Sequence, residues 1–350
     1  MIKFNAEDYH SILSEEYPQF LEEYLNLPLL SRLSGVGLLC GTDFTPLFKN
    51  QFYYSRLNHS IGTALITWKF THSKAQTLAS LLHDVSSPAF SHAIDFKNGD
   101  ALTQKSTEDL NQKMIDENLE LAALLKRDNL LPSEVDNYHL YPICDNECPG
   151  LSADRLEYMY PSAAALAGIW NLEEVKKNYA HILVLKNERG IDELGFDSEE
   201  EALLYTKKFC ECSLILQKNE DKIAMQLMAD ILSCAQKNQI IYEKDLYSKS
   251  EAELIARFND FAQKHKNSEF SKLFFTFTNM TKILHTDEKL PDSYCVSLNV
   301  KKRYVNPLVK INSREAKRIS LVNKEASLCI ENFLSWNDTK FGCVKFWSER

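Results

Sequence analysis

Glycine and proline are scarce in this chain, ten of each in 350 residues. So few punctuating residues leave little room for tight turns and suit an all-helical body. Long apolar runs are missing as well. None approaches the ~18 residues that a membrane span needs. The opening residues Met1-Ile-Lys-Phe-Asn-Ala-Glu-Asp8 are polar and acidic, which does not read as a secretory signal. Without an export signal, the nine cysteines are expected to be reduced thiols of a cytoplasmic protein. Basic residues are outnumbered, 40 Lys and Arg against 49 Asp and Glu, for a net charge of −9. That balance argues against a broad nucleic-acid surface, yet leaves room for a small basic pocket around one phosphorylated metabolite. No repeat and no low-complexity linker interrupts the sequence.

What the chain has is apolar content, 44%, enough to bury a sizeable core. From Tyr9 to about Trp170 the apolar residues recur at spacings of three and four, so one helix should follow another. The pattern predicts helices over 57–70 and 74–84, the second stopped before Pro88. A longer one starts near Ser106 with Leu110, Met114, Leu121 and Leu125 inward. Asp154 falls early in a helix that Pro161 would kink. After Ala180 the pattern changes: 182–196 reads as a hairpin turning at Asn187–Gly190, helices return over 199–217 and 221–237, and 295–300 and 303–305 read as strands. The expected architecture is mainly α, a helical core over 1–180 with a small α+β appendage over 181–350 packed on it.

Three short segments carry chemistry. His83-Asp84 offers an imidazole and a carboxylate side by side, the ligand types that suit a divalent metal handling phosphate. Adjacent helical residues point about 100° apart, so the two reach one ion only near a helix end. Ser86-Ser87-Pro88 supplies that end. Earlier stands Arg56-Leu-Asn-His59-Ser-Ile-Gly62, with Arg56 and His59 on one helix face. Later stands Asp154-Arg-Leu-Glu-Tyr158, with Asp154 and Tyr158 likewise four apart. His92 and Asp95, three apart, can form an acid–base pair in which Asp95 orients the imidazole and raises its pKa.

In these three segments, in this order, the chain resembles the HD superfamily of metal-dependent phosphohydrolases. The resemblance is to the branch containing deoxynucleoside triphosphate triphosphohydrolases, and it extends through 83–95, the 182–196 hairpin and Lys301-Lys-Arg-Tyr-Val-Asn-Pro307. It implies a helical HD-domain core with His59, His83, Asp84 and Asp154 as ligands of one divalent transition metal. Mn, Fe, Ni and Zn are equally compatible, and Mg can accompany the substrate. Arg56, Arg155 and Tyr158 match substrate-contacting positions, and Lys105 can hold a phosphate as a point charge. The expected function is therefore hydrolysis of a phosphate ester, a nucleotide or related small metabolite, with no membrane partner and with a homo-oligomer allowed.

The chain also departs from that branch. The family commonly has a catalytic histidine four residues after its His-Asp pair, where this chain has Ser87, and serine cannot donate a proton near neutral pH as imidazole can. Another family histidine is replaced around Gln104-Lys105. The segment from Arg32 to Gly41 lacks the polar residues that read a guanine. Two other classes stay open: an HD-fold di-iron oxygenase, for which His92 and His139 are the only further histidines between the ligands, and a nucleotide-binding regulatory module without turnover. Cys144 and Cys148 near His139 lack the second ligand pair of a zinc site. Cys210, Cys212 and the apolar stretch around Phe270–Phe277 read as packing or subunit interface.

Overall fold

The computed structural model describes residues 4–104, 109–313 and 315–348. Lys105 and Ser106 lie outside these. The described residues form sixteen α-helical segments and seven strands, none longer than five residues, so strand stays below one residue in six. Four helices build the first core: α1 (Ala6–Leu13), α2 (Arg56–Thr71), α3 (Lys74–Leu82) and α4 (Ala153–Ala167). Helix α2 packs against the other three and is the hub of the bundle.

Local chemistry sets the ends of these helices. The Ser55 hydroxyl caps α2 by accepting the Asn58 amide at 3.1 Å, and His72 closes it in the left-handed region at φ 48°. Ser73 caps α3 one residue later, which forces a tight α2–α3 hairpin. Leu78, Leu81 and Leu82 of α3 are fully buried. The expected helix over 74–84 ends two residues early, at Leu82, so His83 is the cap and Asp84 lies in the turn beyond. Pro161 sits inside α4 without stopping it. Proline has no amide hydrogen, so the carbonyl of Glu157, four residues back, loses its helical donor. The hydroxyl of buried Tyr9 on α1 fills that gap at 3.1 Å.

Beyond α4 the hairpin is present as β1 (Ile182–Lys186) and β2 (Asp192–Phe196), turning through Gly190 at φ 73°. Helices α5 (Glu199–Gln217) and α6 (Asn219–Lys237) follow. The remaining strands are β3 (Leu284–Thr286), β4 (Ser293–Val296), β5 (Leu308–Lys310), β6 (Ala316–Arg318) and β7 (Phe341–Lys345). They complete two small sheets, ordered β1-β2-β5-β6 and β3-β7-β4.

Three expectations need correction. The helix from about 106 is two helices, Asp109–Asp116 and Leu119–Arg127, because Asn118 caps the second by accepting the Leu121 amide. The strand over 295–300 ends at Val296, and 303–305 is irregular chain. The cysteines are not all thiols. Cys295 of β4 and Cys343 of β7 face each other in register and form a disulfide, while the other seven are free.

A second apolar core joins α6 to helices Glu251–Lys264 and Glu269–Asn279 and takes in Phe90, Ile94 and Phe96 from the chain just after the His-Asp pair. The dense phenylalanine stretch is this core: Phe270, Phe274 and Phe277 are 1% exposed. The two cores therefore meet at the segment 84–96, and this is where the cavity described below opens.

One buried carboxyl ties them together. Glu251 Oε1 accepts the Phe90 amide at 2.8 Å, and its Oε2 has no partner among the described residues. Burial pushes its pKa up to about 8, against the pull of the Phe90 and Gly37 amides and Arg56. An unfolded glutamate titrates near ~4.3. The folded state thus holds the extra proton, and this group's contribution to stability is full below about pH 4.3 and lost as pH rises through about 8. Glu251→Gln keeps the carbonyl acceptor and removes the titration. Its melting temperature should fall less steeply than the parent's between about pH 5 and 8. Parallel melting curves across that range would show that Glu251 does not titrate there.

Candidate metal centre

His59 comes from the first turn of α2, His83 from the cap of α3, and Asp154 from the first turn of α4. The α2–α3 hairpin and the α2–α4 contact bring them together. His59 Nε2 lies 3.1 Å from His83 Nε2 and 3.1 Å from Asp154 Oδ1, and His83 Nε2 is 3.7 Å from the same oxygen. Asp84 Oδ2 stands 3.8 and 3.7 Å from the two imidazole nitrogens. Both histidines are buried.

The second ring nitrogens decide what this cluster is for. His83 Nδ1 donates to the Ser80 carbonyl at 2.6 Å, and His59 Nδ1 makes a very short bond with the Glu157 carboxylate. With Nδ1 protonated in both rings, an assignment made from these partners, both Nε2 lone pairs point at one spot. The Asp154 and Asp84 carboxylates point there too. Four acceptors around a point with no donor repel one another unless a cation lies between them. Ligands held ~2.0–2.2 Å from one ion sit about 3 Å apart when adjacent, which matches the shortest spacings here. Buried His59, His83 and Asp154 could thus hold a metal, and Asp84 stands close enough to join them.

Charge compensation is visible on three of these four groups. Burial lowers the pKa of His59, but Glu157 and Asp154 outweigh it and lift the value to about 10, so without an ion Nε2 would hold a proton in the place a metal would take. Burial raises the Asp84 carboxyl, yet Arg56 and the two imidazoles hold it well below the usual range, and the imidazoles do the same for Asp154. A positive charge is what the cage demands.

Glu157 was not marked by the sequence reading, and it is central. It is wholly buried, accepts the Tyr54 hydroxyl on Oε1 at 2.6 Å and orients His59 through Oε2. Gly62 makes this possible: a Cβ there would sit 2.4 Å from Glu157 Oε1. The signal was present in the spacing, since Asp154 and Glu157 are three apart on one face and Gly62 is three beyond His59.

The other expected residues surround the cage. Arg56 donates from Nη1 to Asp84 at 2.7 Å and from Nε to the Ser91 hydroxyl at 3.0 Å. Ser87, at the position of the missing histidine, donates to the other Asp84 oxygen at 3.0 Å. His92 and Asp95 do pair, Nδ1 to Oδ2 at 2.9 Å. The expected rise in the His92 pKa is corrected, however. Burial lowers it to about 4, helped by Arg303 and Arg56, and Asp95 only partly resists. Arg155 borders the cavity, but its guanidinium bonds to Asn146, the Gly150 carbonyl and Asp145 and so braces the loop before α4. Tyr158 lines the cavity 6.5 Å from the His59 ring, and burial raises its hydroxyl to about 12.

Arg303 also escaped the sequence reading as a site residue. It lies in the irregular chain where a strand was expected, with its guanidinium 5.9 Å over the Tyr158 ring. It reaches Gln104 Oε1 and lies 3.4 Å from His92 Nε2. The cavity these groups share has a volume of about 1090 Å³. That is slightly above the ~300–1,000 Å³ usual for small-molecule sites, far more room than free phosphate needs.

Comparisons with known proteins agree on the fold. No family model matches the chain. The uncharacterized protein YdhJ of Bacillus subtilis is 23% identical over 308 residues, covering 87% of this chain and 88% of its own length. Among solved structures, a phosphohydrolase from Bacteroides thetaiotaomicron superposes with a TM-score of 0.63 at 14% identity, over 94% of this chain and 96% of that one. A hypothetical protein from Aquifex aeolicus gives 0.60 at 17%, over 94% and 92%. The chain has the fold of that phosphohydrolase along nearly its whole length.

Metal content tests the centre directly. His83→Ala and Asp154→Ala should stay folded and lose most bound metal, and full occupancy in both would remove the assignment. Glu157→Gln should weaken metal affinity roughly 10–100-fold, since the partner behind a ligating histidine sets its tautomer and orientation. Competition with a chelator reads that change.

Proposed function

We propose that this protein is an HD-type metal-dependent phosphohydrolase acting on a nucleotide or related small phosphate ester. The observation that carries the reading is the convergence of two imidazole lone pairs and two carboxylates in a cavity of about 1090 Å³, with Arg56 beside them. Mn, Fe, Ni or Zn would suit the donor set of His59, His83, Asp84 and Asp154. When bound, such an ion supplies Lewis acidity toward water and a phosphoryl oxygen.

The chain's own groups do the rest. Arg56 has five N–H donors and spends two on Asp84 and Ser91, so it can still grip a phosphate oxygen. His92, neutral near pH 7, carries its proton on Nδ1 toward Asp95 and accepts from Arg303 on Nε2 at 3.4 Å, so it becomes a proton acceptor once a phosphate draws Arg303 away. Asp95 fixes that tautomer. Arg303 and Tyr158 offer donors to phosphate or ester oxygens farther along the wall. Arg155 acts by holding the loop that leads to Asp154, and Lys105 is kept as a phosphate-holding candidate from the sequence alone.

Ser87 points away from the triphosphohydrolase chemistry, because its hydroxyl is engaged by Asp84 and it brings no imidazole. It also keeps the regulatory-module reading alive. The assay measures phosphate, pyrophosphate and triphosphate release from a nucleotide panel by metal-reconstituted protein. We expect activity on phosphate esters, monophosphates included, and weak activity on dGTP. Arg56→Ala should lower kcat/KM by about 1.5–3 kcal/mol, roughly ten- to a hundredfold. Ser87→His should raise activity on triphosphates without changing metal content. Efficient triphosphate release from dGTP by the unmodified protein would overturn the substrate assignment. No hydrolysis of any ester at full metal occupancy would favour the regulatory module, and two irons per chain the oxygenase.

A further inference from the structure

The cavity holds one more charged group that the phosphoryl chemistry does not use. Asp221, in the first turn of α6, lines it, and its side chain has no hydrogen bond and no ion pair among the described residues. Acids in a first helical turn are commonly explained by the free amides there. That explanation fails at this helix, since Asp221 caps nothing and the Asn219 amide is taken by Asp338 at 2.8 Å. The surroundings are apolar: Met225, one turn along the same face, joins Phe96 and Val300 in the second core, and all three border the cavity. Burial pushes the Asp221 carboxyl up to about 7, against the attraction of Arg303 and Lys222. Arg303 is near enough to act on it, yet the two make no ion pair. Arg303 is instead held by Gln104, and its segment is pinned where Gln217 donates to the Lys301 carbonyl at 2.8 Å.

A half-buried acid on a largely apolar cavity wall, with no protein partner for its carboxyl, favours an occupant that brings it a hydrogen-bond donor. Arg303 on the same wall disfavours a cationic occupant. We propose that Asp221 is a specificity residue that accepts a hydrogen bond from a neutral O–H or N–H on the organic part of the substrate, whose phosphate lies at the metal centre. The substrate class is thus a phosphate ester with an apolar ring or sugar edge carrying a donor, such as a nucleoside hydroxyl or an amino group of a base. This rests on the phosphoryl site proposed above.

Calorimetric titration of the metal-loaded full chain tests it without requiring turnover. The probes are adenosine 5′-monophosphate, its 2′,3′-dideoxy form, inosine 5′-monophosphate and inorganic phosphate. The ratio of nucleotide to phosphate affinity should fall at least tenfold in Asp221→Leu and much less in Asp221→Asn, which keeps an acceptor oxygen. In the unmodified protein, weaker binding of the dideoxy form assigns the donor to the sugar, and weaker binding of the inosine form assigns it to the base. A ratio unchanged in folded Asp221→Leu, or nucleotides binding no tighter than phosphate, would overturn the proposal. Binding that depends on Asp221 but leads to no hydrolysis would refute the hydrolase reading and leave this one standing.

Discussion

Everything at the candidate metal centre depends on a carboxylate buried against an imidazole where α2 crosses α4. Glu157 is completely enclosed, and an enclosed carboxylate is stable only if its oxygens are matched by donors. Tyr54 and His59 supply them. The cost of burying Glu157 thereby fixes the tautomer of His59 and turns its Nε2 toward His83 and Asp154. The helices then have little freedom. Gly62 must be glycine to admit the carboxylate, and Pro161 removes the amide that the Glu157 carbonyl would have used, which brings Tyr9 in from α1. Three helices are locked by one residue's hydrogen-bonding requirements. Removing one member of such a buried pair typically costs ~3–5 kcal/mol, so the same contact governs both stability and the geometry of the cage.

The other half of the site depends on how the chain leaves α3. Had the helix continued through Asp84, its carboxylate would have pointed about 100° from His83. Ending at Leu82 lets Asp84 swing toward both imidazoles. The turn that follows is held from outside: Arg32 donates to the carbonyls of Val85 and Ser87, and Leu246 accepts the Ala89 amide at 2.8 Å. Phe90 and Ser91 adopt left-handed backbone at φ 66° and 43°, an unfavourable conformation for both, and the amide of Phe90 is held by Glu251. The second core thus places Ser91 and His92 against the first, and Arg56 bridges the seam through Asp84 and Ser91.

How legible this was in the sequence varies with what each residue depends on. Helices set by periodicity and a nearby cap, such as 56–71 and 199–217, could be read almost to the residue, because both signals are local. That His59, His83, Asp84 and Asp154 lie together could be anticipated from the resemblance that their types and order carry. Arg303 and Asp221 could not, and Glu157 only through its spacing from Asp154, since a charged side chain turned inward looks like a surface one until its neighbours are known. The expected strand at 303–305 failed for a related reason: its alternation of charged and apolar residues resembles a strand, but Arg303 faces a cavity rather than solvent. The Cys295–Cys343 pair joins strands 48 residues apart, a register no local pattern encodes.

His92 shows how tertiary electrostatics can reverse a local inference. A histidine three residues before an aspartate should gain basicity from it, and the geometry of that pair is as expected. Burial of the ring outweighs that gain, and two arginines from distant parts of the chain add to the effect, so the imidazole is neutral and its proton faces Asp95. A phosphate entering between Arg56 and Arg303 would bring negative charge to where those guanidinium groups now act on His92. The cations that, together with burial, keep His92 neutral in the free protein are the same ones a phosphate would engage. Substrate charge would therefore make His92 a stronger base as the ligand arrives, coupling proton acceptance to occupancy of the site.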